Sequence, residues 1–176
     1  YDMSIQLDPQ LAEAFAGRGK VMLRQNKLAE AGKDFEKALE LKLEPEDSEV
    51  ITGLALARVV DGKLDAGIKL VEDNRGKNQA QKQGLFTYNA ACVYARACEY
   101  LDAHKDVPDR DKKREEYRKK ALADLTQSIK EGFNDYEWMA QDPDFAALRE
   151  DADFKKILAD KPAKKPEGDP ATPNEK

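Results

Sequence analysis

Apolar positions recur with helical spacing along most of the chain, and the clearest run, residues 12–43, sets the pattern for the rest. Phe15, Gly19 and Met22 stand at i, i+4 and i+7, one face of a helix. Asn26-Lys27 interrupts that face, and Leu28, Ala31, Phe35, Ala38, Leu39 and Leu41 then open a second one. The spacing predicts two helices of about 13 residues joined by a short turn, which makes them antiparallel neighbours. Gly19 and Ala31 are expected to face each other where the backbones approach, with Phe15 and Phe35 filling the space beside them.

The pattern then repeats with variation. The turn at 44–48 has helix-start chemistry. Ile51, Leu54, Ala55, Arg58 and Val59 predict a helix, Asp61-Gly62-Lys63 ends it, and Leu64, Ile68, Leu70 and Val71 predict its partner. Ala55 and Gly67 take the two small positions, and the polar run 73–84 reads as a loop. A third unit starts near Gln83 with a helix, 86–101, that is apolar nearly all round and so requires neighbours on several sides. The charged run 102–114, with Pro108 inside it, reads as an insertion lengthening the hairpin turn. Tyr117, Ala121, Leu122, Leu125, Ser128 and Ile129 predict the partner helix, closed by Gly132 with Phe133 as its apolar contact.

Both ends differ from this rhythm. Residues 1–7 read as the close of a preceding helix, with Asp8 as N-cap and Pro9 as first residue of the next. Near the other end, 142–148 and 151–157 are copies of one motif: an acidic N-cap, an acidic first turn, and a Phe with a Leu or Ile anchor. They predict two short helices that close the open end of a stack. Residues 161–176 hold proline and charge without a large apolar side chain and read as a disordered tail.

The positions Phe15, Arg18, Gly19, Met22, Ala31, Phe35 and Ala38 resemble the tetratricopeptide repeat, whose pattern is W-x2-L-G-x2-Y followed by A-x3-F within about 34 residues. Two departures stand out: Arg18 takes the usual Leu position, and Leu43 the proline position, with Pro45 two residues late. Ile5-Gln6-Leu7-Asp8-Pro9 resembles the family's repeat ending. Residues 132–158, GFNDYEWMAQDPDFAALREDADFKKIL, are similar to closing segments of C-terminal repeat regions in bacterial multidomain proteins, including those attached to Ser/Thr protein kinases in planctomycetes, a resemblance that covers roughly Tyr88 to Leu158. The resemblance implies an all-α fold: antiparallel hairpins stacked as a short right-handed solenoid with C-terminal capping helices. Its bounds would be the end of a truncated repeat at 1–10, a domain at 11–160 and the tail at 161–176. Within the domain, repeats fall at about 12–45, 48–81 and 83–133, with capping helices at 134–160.

Composition narrows the function. The chain has 176 residues, of which 37% are charged and 40% hydrophobic, with mean hydropathy −0.80, which suits thin stacked helices better than a thick globule. A net charge of −5 and the lack of a basic stripe with interleaved aromatics disfavour nucleic acid. Lys112-Lys113-Arg114 is followed by Glu115-Glu116 and reads as a solvated helix face. No apolar run approaches a membrane span, so direct membrane insertion is not expected. Cys92 and Cys98 lie six residues apart on one predicted helix, about 240° in azimuth, and are expected to be separate buried residues. The single histidine, His104, sits in the charged run, which removes histidine-based triads and zinc-hydrolase sites. Gly17-Arg18-Gly19 lies inside a helix and is no phosphate loop. The reading is of a chain without catalytic residues, metal ligands or cofactor.

The resemblance places function in a concave groove lined by the first helix of each hairpin. Its groove-facing slots are Glu13, Ala16, Lys20, Leu23 and Arg24, then Thr52, Leu56 and Val59, then Tyr88, Asn89, Cys92 and Arg96. Lys20, Arg24 and Arg96 are expected to meet acidic groups of an extended peptide, with Tyr88 stacking on it. The leading expectation is a protein or peptide partner bound there. The alternatives are a regulatory or targeting region of a larger bacterial enzyme such as a Ser/Thr protein kinase, or a self-assembly module in which the helix at 86–101 packs on a second copy as a homodimer. The first residue is Tyr1, so a preceding part is expected to be missing. A cytoplasmic location is favoured, with an extracytoplasmic bacterial one left open.

Overall fold

The computed structural model describes residues 1–43, 47–76 and 84–160, and every regular element among them is a helix. In chain order these are α1 (Asp2–Leu7), α2 (Ala12–Arg24), α3 (Leu28–Glu40), α4 (Ser48–Val60), α5 (Leu64–Asn74), α6 (Leu85–Ala103), α7 (Arg110–Lys130) and α8 (Tyr136–Gln141). A short 3-10 helix, Pro143–Leu148, and α9 (Ala152–Ala159) follow. The strongest packing joins α2 to α3, α4 to α5, and α6 to α7, the three expected pairs. Further packing of α3 on α4 and of α4 on α6 links each pair to the next. The expectations for the turn at 44–46, for the stretch 77–83 and for the tail at 161–176 lie outside the described residues.

One local device ends α2, α3, α4 and α7. In each, the residue after the C-cap has positive φ: Asn26 at 58°, Lys42 at 58°, Gly62 at 82° and Gly132 at 104°. The next two amides then turn back onto the last carbonyls. Lys27 N–H donates to Met22 O (2.9 Å), Leu43 to Ala38 O (3.1 Å), Lys63 to Arg58 O (2.8 Å) and Phe133 to Ser128 O (2.9 Å). These are the closures that satisfy a helix's orphan carbonyls. After α2 and α4 they bring the chain straight into the second helix of a pair.

The small positions do what their spacing predicted. A Cβ on Gly19 would lie 2.6 Å from the Phe35 ring and 3.3 Å from the Ala31 carbonyl oxygen. One on Gly67 would lie 2.7 Å from the Ala55 carbonyl oxygen. Each glycine therefore marks a close crossing of two helices. Arg18, at a position usually apolar in the repeat pattern, sends its guanidinium across to Asp34 of α3 in two bonds of 2.7 and 2.8 Å. The Asp34 side chain is 8% exposed, so this fork–fork pair is a partly desolvated clamp on the first hairpin. Phe15 is only half-buried and packs at the edge of the cluster that Phe35 centres.

Three expectations are corrected. Asp8 does not cap α2; it ends α1, and its carboxylate accepts from Gln10 N–H, while α2 starts at Ala12 with Leu11 as its N-cap. In the run 102–114 only residues 104–109 form the turn, while 102–103 and 110–114 belong to the two helices. The run lengthens α6 and α7, and Arg110 and Arg114 pair with Asp102 across them, so the charges zip the two arms instead of solvating a loop. The polar run after Val71 continues α5 to Asn74, which is buried, and Arg75 then binds Asp124 of α7 through bonds of 2.7 and 3.0 Å. The apolar sides of α6 are used within the chain, where α4, α5, α7 and the 3-10 helix cover them, as its nearly all-round apolar pattern required.

The closing segment has the expected duplication. Asp142 caps the 3-10 helix by accepting from Asp144 N–H, and Asp151 caps α9 by accepting from Asp153 and Phe154 N–H. Their anchors, Phe145 and Phe154, are buried against each other with ring centroids 5.2 Å apart. Arg118 of α7 holds this end down, since its Nη2 bonds Asp151 (3.0 Å) and Asp153 (2.6 Å). Arg118→Ala is expected to cost roughly 2 kcal/mol locally, the scale of hydrogen bonds to charged groups. Hydrogen exchange checks it: amides of α9 should lose protection while those of α6 keep theirs. Unchanged α9 protection would mean that Phe154 packing alone seats the helix.

Candidate functional site

The first helices of the three pairs bring most of the candidate residues together. Leu23 and Arg24 of α2, Thr52 and Leu56 of α4, and Tyr88, Asn89 and Cys92 of α6 line one groove of about 490 Å³. Asn26, Leu28, Glu49 and Gly53 complete these walls. Thr52 and Asn89 tie two of the helices at its floor: the Asn89 amide donates to Thr52 Oγ1 at 3.3 Å, and that hydroxyl donates to Ser48 O at 2.8 Å. Ala16 and Val59, expected to face the groove, are instead buried in the core.

The opposite wall comes from the closing segment. Trp138, Asp142, Pro143 and Asp144 face the same space. The sequence showed Asp142 as a helix cap but carried no signal of where that cap would dock. The 3-10 helix packs on α6, and the contact is built around Tyr88. The Tyr88 ring stacks on Phe133 at 4.0 Å with planes 10° apart, and its hydroxyl donates to Asp142 Oδ2 at 2.6 Å. Tyr88 is 3% exposed, so it is a structural strut of the groove and not a platform for a ligand, contrary to expectation.

The cations are also placed differently from expectation. Lys20 is outside the groove lining and already pairs with Asp47 and with Glu49 (3.3 Å). Arg24 lines the groove rim, exposed, with Glu49 at 3.7 Å. Arg96 is also outside the lining, pairs with Glu99 at 2.6 Å, and comes no nearer than 3.7 Å to Asp144. The charges that line the groove are therefore Arg24 against Glu49, Asp142 and Asp144. The groove is acidic where a basic one was expected, because Lys20 is held outside it by Asp47 and Glu49 at the start of α4, and Arg96 by Glu99 of its own helix.

Asp142 and Asp144 differ sharply although one residue apart. Both Asp142 oxygens are occupied: Oδ1 by Asp144 N–H, Oδ2 by Tyr88 and by the Cys92 thiol at 3.7 Å. Among the described residues no donor reaches hydrogen-bond distance of the Asp144 carboxylate, and Arg96 Nε beside it is buried without a partner. Burial, with Asp142 next to it, pushes the Asp144 acid up to about 7 against the pull of Arg96. Burial and the same two carboxylates push the Cys92 thiol well up, so it is a neutral donor.

Cys92, Asp142 and Asp144 offer ligand atoms within 4.8 Å of one another. The set suits a metal poorly. Asp142 spends both oxygens on donors within the chain, and the thiol is held neutral. No known family model, curated protein or solved structure matches this chain.

Proposed function

We propose that the chain is a tetratricopeptide-like helical-repeat module that holds an extended peptide segment of a protein partner in this groove and performs no catalysis of its own. The observation that carries the reading is the groove itself. Side chains from three successive first helices, distant in sequence, converge on one concave space with apolar and polar walls. Its volume falls in the range of binding pockets, roughly 300–1,000 Å³. Leu23, Leu56 and Pro143 offer apolar lining, and Trp138 stands 49% exposed at its edge. A half-exposed tryptophan beside a pocket is the kind of aromatic anchor that dominates recognition energetics. The repeat spacing around Gly19, Ala31, Ala55 and Gly67, and the stepwise packing of α3 on α4 and α4 on α6, support the solenoid arrangement.

The test is selection of random displayed heptapeptides on the chain, followed by NMR mapping with the enriched peptides. Methyl signals of Leu23 and Leu56 and the Trp138 indole signal are expected to shift. Trp138→Ala, a change at a half-exposed site, should lower affinity roughly tenfold with the circular dichroism spectrum unchanged. Equal binding by that variant, with shifts confined to other surfaces, would remove the groove from the reading.

A further inference from the structure

We infer that the groove selects a peptide carrying a lysine or arginine flanked by apolar residues, with the cationic head seated at Asp144. The inference rests on the groove reading above and names the chemistry of its ligand.

Four observations carry it. First, the lining holds one cation, Arg24, and three carboxylates, Glu49, Asp142 and Asp144. Second, the cation nearest the Asp144 end, Arg96, gives its short bond to Glu99 at 2.6 Å and reaches Asp144 only at 3.7 Å, so one guanidinium is shared among Glu99, Asp142 and Asp144 and the local balance stays negative. Third, these two carboxylates are not equivalent: Asp142 is saturated by Tyr88, Cys92 and its own capping bond, whereas Asp144 receives no hydrogen bond from the described residues and keeps a quarter of its side chain open to the groove. A half-buried carboxylate in that state gains most from a charged donor brought by a ligand. Fourth, the rest of the lining is apolar enough for the stem of such a side chain. Lys and Arg lay their methylenes along apolar surface and keep the head polar, and Leu23, Leu56 and Pro143 provide that surface. Trp138 adds an exposed ring for cation–π contact with the same ligand.

An acidic peptide fits none of this. It would bring a third carboxylate beside two that are already in excess, and the cations once expected to receive it are engaged by Asp47, Glu49 and Glu99. A bare metal ion lacks the apolar stem and finds the oxygens of Asp142 occupied.

The experiment reads the composition of the heptapeptide pool selected on the full chain and then the affinity of one selected peptide. Lys or Arg should be enriched, next to Leu, Ile or Phe. A fluorescein-labelled member should lose roughly tenfold in affinity on Asp144→Asn, on replacement of its basic residue by norleucine, and not further when both changes are combined. Its binding should also weaken as salt rises. A pool that binds at Leu23, Leu56 and Trp138 but carries no basic residue, or prefers Asp and Glu, overturns the inference while leaving the groove reading intact. Failure of the groove reading looks different: no pool, or a pool that maps elsewhere. Uptake of one zinc ion per chain from zinc chloride, with loss of peptide binding, would assign the carboxylates to a metal and also overturn it.

Discussion

Phe35→Ala is expected to destabilise the chain by about 3–5 kcal/mol, the largest loss of any single aromatic truncation in its N-terminal half. The ring has no exposed surface and lies between two glycines on different helices. A Cβ on Gly19 of α2 would stand 2.6 Å from it, and one on Gly53 of α4 would stand 2.5 Å from it. Phe35 thus fills the seam where the first pair meets the second, and no side chain on either glycine could move in to occupy the space. The cavity left by alanine stays open, which puts the cost at the high end for a core truncation. Phe15→Ala is the control, because Phe15 is half-buried at the edge of the same cluster and should cost about 1 kcal/mol or less. Urea unfolding checks both through the shift in midpoint at unchanged slope. Equal losses from the two would show that the seam is not organised around Phe35.

The crossings inside the first two pairs were legible in the sequence because they are written in residue size, whereas Gly53, where Phe35 meets the second pair, was not read. Gly19, Ala31, Ala55 and Gly67 are small at helical intervals, and only a close crossing of helices gives small residues that meaning. Of the positions that repeat spacing placed on the groove, Leu23, Arg24, Thr52, Leu56, Tyr88, Asn89 and Cys92 line it, while Lys20 and Arg96 lie outside the lining and Ala16 and Val59 are in the core. What faces the groove from elsewhere was not legible. Lys20 meets Asp47, Arg75 meets Asp124 and Tyr88 meets Asp142 across separations of 27, 49 and 54 residues, and nothing local in the chain announces those partners. The sign of the groove therefore came out reversed. The run 102–114 failed differently. Its charges look like a solvated loop by composition, yet Asp102 stands opposite Arg110 and Arg114 once two helices run side by side. The wall supplied by Trp138, Asp142, Pro143 and Asp144 was half-read: the capping chemistry was visible, the docking surface on α6 was not.

Asp144→Asn should make the chain more stable at neutral and alkaline pH while weakening its ligand, and the two effects together separate a binding residue from a structural one. In the folded chain the Asp144 acid is raised to about 7, first by burial, then by Asp142 and Glu99, with Arg96 opposing. Its unfolded value is near 3.8. A folded state with the higher value holds the proton more tightly, so stability falls as pH rises through the window from about 4 to about 7. Below that window both states are protonated and the carboxyl carries no electrostatic penalty. Above it the folded chain must keep a carboxylate that accepts no hydrogen bond from the described residues, with Arg96 Nε at 3.7 Å. A quarter of the side chain is open to solvent, which screens part of the cost. The penalty is then on the order of 2 kcal/mol, short of the full value of the shift. Asparagine keeps the shape and the backbone N–H that Asp142 accepts, but carries no charge to bury. The variant should match the parent at pH 4 and exceed it by that amount at pH 8. Urea midpoints at the two pH values measure the difference. A variant weaker than the parent at pH 8 would mean that Arg96 compensates the carboxylate in full. Gained stability with lost affinity would mean that the energy of an unsatisfied carboxylate, held at one end of the groove, is recovered when a cationic ligand arrives.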